Sequence, residues 1–109
     1  MSLMTETLAE QVEAALLAAS FPADARACGY RLRWDDELHD VADIVVILSM
    51  TEWDQRAIDA CESARRAASS AFEGLGVVPV LVVRTRDEHL SVAALENNVW
   101  TVIRPDGTF

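Results

Sequence analysis

Between Asp35 and Asp43 the chain carries five carboxylates and one imidazole within nine residues: Asp35, Asp36, Glu37, His39, Asp40 and Asp43. Oxygen-rich side chains of this kind suit Mg²⁺, Ca²⁺ or Mn²⁺, and Asp35, Asp36, His39, Asp40 and Asp43 form a candidate metal set. The spacing is not that of an EF-hand, and the glycine that lets such a loop close around an ion is missing. A solvated acidic loop is the competing reading, because charge clusters carry little specificity. A second constellation comprises Ser49, Thr51, Arg84 and Arg86, which fall just beyond two apolar runs. Backbone N–H groups at a helix start, with arginines beside them, suit a phosphate or carboxylate. Glu52 and Asp54 already supply negative charge there, so ordinary helix capping accounts for the same residues.

Several chemistries are excluded by composition. All nine cations are arginine, so a phosphate loop with its lysine, a Schiff-base lysine and any other catalytic lysine are ruled out. The net charge of −9 repels nucleic-acid phosphates and anionic membranes, and no basic stripe offsets it. Cys28 and Cys61 do not make a disulfide framework, and Cys61 reads as a small hydrophobe on a helical stripe. The serines lack a nucleophile-elbow context. For His89 the sequence supplies no set of reacting groups within hydrogen-bond reach, which a general base requires. No cofactor is expected.

The elements that must position these residues are legible from periodicity. A capping-box pattern at Thr7-Leu8-Ala9-Glu10 opens an amphipathic helix that ends near Ser20. From Gly29, the alternation of Tyr30, Leu32 and Trp34 with Arg31 and Arg33 marks a strand with one buried face. The apolar run Val41 to Leu48 is its partner across an antiparallel hairpin. Pairing the two apolar sets on one face puts Asp43 on the face of Arg31 and Arg33, where an ion pair of about 0.2–1 kcal/mol is the expected role. A helix capped at Thr51, with Trp53, Ala57, Cys61, Ala64, Ala68, Phe72 and Leu75 on one stripe, leads through Gly74 and Gly76 to a strand from Val77 to Val83. Pro79 cannot donate a ladder hydrogen bond, which places it at the start of that strand or on an edge. Thr85-Arg86-Asp87-Glu88 caps a short helix through Leu95, and Val99 to Ile103 is the last strand.

The fold expected is therefore a small mixed α/β domain over residues 4–109. Its order is α-β-β-α-β-α-β, with about four strands, one hairpin, one parallel β-α-β crossover and helices mainly on one face. Met1-Ser2-Leu3 before Met4 reads as an expression remnant, and Pro105-Asp106-Gly107 as a turn after which a native extension was removed. With no signal-like or membrane-length apolar run, a cytoplasmic location is expected.

Asp43 is followed two residues later by Val45, and Arg31-Leu32 stands upstream of it. The element order over roughly residues 7 to 85 resembles the minimal core of small nucleotidyltransferases, in which a Gly-Ser turn leads to an Asp-x-Asp pair on the second strand. Asp43 matches the first aspartate, while Val45 replaces the second and Arg31-Leu32 the Gly-Ser turn. The resemblance thus covers element order and none of the catalytic motif, and implies at most an inactive relative.

Trp34, Trp53 and Trp100 fall on faces expected to be buried, and Trp34 and Trp100 are also candidate interface anchors. The apolar fraction of 51% is high for a sheet covered by three short helices. The leading expectation is a non-enzymatic binding or regulatory domain that forms a homodimer and engages a protein partner, with no nucleic acid and no membrane. The alternative is a metal- or phosphate-dependent enzyme using Asp43 and the Arg84/Arg86 edge.

Overall fold

The computed structural model describes residues 3–34, 37, 39–96 and 99–104. Its elements are α1 (Leu3–Ala18), β1 (Ala25–Trp34), β2 (Asp40–Leu48), α2 (Gln55–Ala71), β3 (Val78–Arg84), α3 (Arg86–Glu96) and β4 (Thr101–Arg104). They build one mixed sheet in the order β3-β2-β1-β4. β1 pairs antiparallel with β2 and β4, and β2 pairs parallel with β3. This is the small mixed α/β fold expected from the periodicities. No helix among the described residues is long and apolar enough to cross a membrane.

The hairpin register aligns Tyr30 with Ile44, Arg31 with Asp43 and Leu32 with Ala42. Side chains on a strand alternate between faces, so this parity sends Tyr30, Ile44 and Val46 to one side and Arg31, Asp43 and Val45 to the other. The first side is the main core, where Val12 and Leu16 of α1 meet Ile44, Val46 and the alanines of α2. Ala57, Ala60, Ala64 and Ala68 form the buried stripe of α2, and such small side chains let the helix lie close on the sheet. Cys61 is only partly buried, one position off that stripe. The opposite side holds a smaller cluster of Ala27, Val45 and Ile47, covered by Trp100.

Chain direction explains the division of the helices. The crossover through α2 runs from β2 outward to β3, whereas the crossover through α3 returns from β3 past two strands to β4. Right-handed crossovers running in opposite directions place their helices on opposite faces. Arg84 shares the face of Ile47 and reaches Glu96 of α3 there, while α1 and α2 share the other face.

Several boundaries differ from the sequence expectations. β1 begins at Ala25, held by Ala25 N–H to Pro22 O at 2.9 Å and Ser49 N–H to Asp24 O at 2.8 Å, and β1 is interior, so the hairpin has no free edge. The helix expected from Thr51 starts at Gln55, because the Asp54 carboxylate accepts the Ala57 N–H at 2.9 Å and is the N-cap. Trp53 therefore lies before the helix and is exposed, and Trp34, at the end of β1, is 72% exposed beyond the reach of the helices. The free edges belong to β3, which contains Pro79, and to β4, which spans only four residues. A missing donor and a short strand both blunt strand-to-strand pairing.

The only tyrosine of the chain, Tyr30, donates its hydroxyl to Glu13 Oε1 of α1 at 2.5 Å. Burial first, and the neighbouring carboxylate second, push its phenol up to about 12. Stability from this contact is complete below the ordinary phenol value of about 10 and is lost as pH rises toward about 12. Spectrophotometric titration should show phenolate absorbance developing near the higher value; a midpoint near the lower one would place Tyr30 in solvent.

Candidate functional site

The sheet face opposite the main core gathers Arg31, Arg33, Asp43 and Arg84. Asp43 is 4% exposed, and its Oδ2 accepts from Arg31 Nε at 2.9 Å and Arg33 Nε at 2.8 Å. Burial works to raise this carboxyl, but the two guanidinium hydrogen bonds outweigh it and hold Asp43 below the ordinary carboxylate value. The expected partnership is present, but on a buried aspartate rather than a solvated surface pair.

From Arg31 the network continues through an aromatic ring. The Arg31 guanidinium lies 5.1 Å from the Trp100 ring centre, and that of Arg84 lies 5.7 Å from it. Cations over an indole face are attracted by its quadrupole. Arg84 also grips Glu96 with two hydrogen bonds of 2.7 Å, while Trp100 Nε1 donates to Glu96 Oε1 at 3.1 Å. The Arg84 hydrogen bonds, opposed by burial and aided by Trp100, pull the Glu96 carboxyl down to about 2. Arg84 Nη1 further lies 3.3 Å from Nδ1 of the buried His89.

The C-terminal ends of β2 and β3 form a topological switch point, because their following helices leave to opposite faces. Open α/β sheets commonly bind ligands at such a place. Backbone contact closes it here, with Arg86 N–H donating to Met50 O at 3.0 Å. Thr85 and Glu88 make the expected capping box, Thr85 N–H to Glu88 Oε1 at 3.0 Å and Glu88 N–H to Thr85 Oγ1 at 3.3 Å, and Glu88 also accepts from Trp53 Nε1. Of the four candidate anion-binding residues, Thr51 and Arg86 are exposed. Ser49 Oγ donates to Asp24 Oδ1 at 3.3 Å, and Arg84 is turned onto the Trp100 face. The contact of Arg86 with Met50 makes the turns after β2 and β3 neighbours.

The described members of the candidate metal set each have other partners. Asp35 and Asp36 lie outside the described residues. His39 Nδ1 lies 3.7 Å from Glu37 Oε2, Asp40 accepts from Trp34 Nε1 at 2.8 Å, and Asp43 holds its two arginines. Among the described residues no group of three or more His, Cys, Asp or Glu is placed to hold a metal ion.

Sequence reasoning missed two participants, Asp24, which accepts from Arg56 Nε at 3.0 Å, and Glu96, and it gave Trp100 only as a core or interface residue. Asp24 follows Pro22-Ala23 in an unpatterned stretch, and Glu96 falls just past the helix expected to end at Leu95. Only the chain's reversal over the sheet brings Glu96 to Arg84. The sequence matches no protein-family model, and comparison with curated proteins and with solved structures finds no match.

Removing the Asp43 charge leaves two arginines facing a buried amide. Asp43→Asn should therefore cost about 1–3 kcal/mol in urea denaturation, above the range of exposed pairs. A cost below about 0.5 kcal/mol would mean that water replaces the carboxylate freely. Separately, millimolar Mg²⁺, Ca²⁺ or Mn²⁺ should leave the melting temperature unchanged, since an ion without preference for the native state cannot stabilise it. A rise of several degrees that Asp36→Ala or Asp40→Ala abolishes would establish a metal site in the acidic loop.

Proposed function

We propose that this chain is a non-enzymatic binding or regulatory domain that acts through self-association as a homodimer and through contact with a protein partner. The observation that carries the reading is the inversion of α3. Its inward side presents His89 and Glu96, whereas Leu90 is 53% and Leu95 84% exposed. A short helix that buries polar groups and shows its leucines to solvent is the informative departure from ordinary burial. Val78 and Val80 of β3, Val99 before β4 and Val102 within it are also exposed, so six of the ten exposed large hydrophobic side chains among the described residues belong to this half of the molecule. The blunted edges favour association through side chains of this half rather than by strand addition.

What weighs against the enzyme alternative is that Asp43 and Arg84, two of the three groups it would employ beside Arg86, hold Arg31, Arg33 and Glu96 in ion pairs. A carboxylate held by two guanidinium hydrogen bonds is fixed in place rather than free to act on a substrate.

Sedimentation equilibrium at micromolar concentration should give twice the protomer mass of 12.0 kDa, and Leu95→Glu should return it to the protomer value with the fold intact. Protomer mass for the wild type across this range would overturn self-association. A wild-type dimer that survives Leu95→Glu would move the contact away from the outer face of α3.

A further inference from the structure

The polar inner side of α3 has a consequence for pH that is independent of any self-association. His89 is 1% exposed, in the first turn of α3, and its Nδ1 lies 3.3 Å from Nη1 of Arg84. A guanidinium carries donors only, so this contact requires Nδ1 to present its lone pair and the ring proton to reside on Nε2. We propose that His89 is an acid-sensitive latch, whose neutral ring lets α3 and Trp100 dock on the sheet and whose protonation releases them.

The step is a proton transfer from solvent to Nδ1. Once it carries a proton, that nitrogen can no longer accept from Arg84, and two cations face each other in a site removed from water. On β3 the facing group is Arg84, whose charge opposes protonation. On the same face of the sheet Asp43 of β2 is already bonded to Arg31 and Arg33 of β1. On α3 itself Glu96 favours an imidazolium, but both its oxygens are taken by Arg84, and Glu88 is engaged in the cap and by Trp53. Asp87 and Arg86 of α3 are exposed. Relieving the repulsion means moving Arg84, and Arg84 is the residue that holds Glu96 and stacks on Trp100. The release therefore passes from one ring to the end of α3 and the start of β4.

The sign follows from proton linkage. A ring kept neutral in the folded chain and free to charge in the unfolded one makes the unfolded state bind the extra proton. Stability from the latch is thus complete above the ordinary imidazole value of about 6.5 and falls as pH drops below it.

The test is ¹⁵N nuclear magnetic resonance on the full chain, following both histidine rings, the backbone amides of residues 86–96 and the Trp100 indole from about pH 8 to about pH 5. At neutral pH the His89 ring should be in the Nε2–H form. On acidification its protonation should coincide with displacement of the 86–96 amides and the Trp100 indole, while changes at the exposed His39 ring leave them in place. His89→Gln, whose side-chain oxygen can accept from Arg84, should lose this transition. An Nδ1–H tautomer, protonation of His89 with α3 unmoved, or α3 docked at about pH 5 would each overturn the latch, and these wild-type outcomes decide the matter even where the variant folds poorly.

Discussion

The pairing parity of β1 and β2 is the constraint on which the other features depend. Because strand side chains alternate, a slip of β2 by one residue against β1 would turn Ile44 and Val46 away from α1 and α2 and carry Asp43 into the apolar layer. The ion pair of Asp43 with Arg31 and Arg33 reinforces the same register from the reverse face, so apolar burial and charge pairing agree on one alignment. The capped start of α2 at Asp54 then sets which alanines meet the sheet.

The return of the chain across two strands accounts for the unusual character of α3. A helix that reaches this face alone, over a sheet already carrying Asp43, Arg31 and Arg84, meets polar groups that need partners. His89 and Glu96 meet that need, and Leu90 and Leu95 point outward. Buried polar networks of this sort are costly to break and specify one arrangement when fully satisfied. The two halves of the molecule thus differ in kind, one closed by alanine and branched aliphatic packing, the other by ion pairs around an indole.

Much of the fold was legible because its signals are local. The alternation in β1, the apolar run of β2 and the capping box at Thr85 and Glu88 each depend on a few neighbouring residues, and the pairing of Asp43 with the arginines follows from parity. The start of α2 was less legible, since Thr51 and Asp54 are both acceptable caps and tertiary context chose Asp54. The burial of tryptophans could not be read from face alone, because Trp34 has the core parity but lies where no helix covers it. The network around Trp100 was illegible in principle, as it joins residues from β1, β3, α3 and the turn before β4 that share no spacing pattern.

The placement of β4 also bears on how the last elements of the domain are held. α1, the β1–β2 hairpin, α2 and β3 form a layered unit whose main core needs little from the rest of the chain. β4 pairs only with β1, through a few residues and an irregular register, and its connection must pass over two strands. Ordering a long connection before its contacts form carries an entropic cost. The α3–β4 segment is thus an arm that returns across the layered unit, and the side chains that clasp it are Arg84, Glu96 and Trp100.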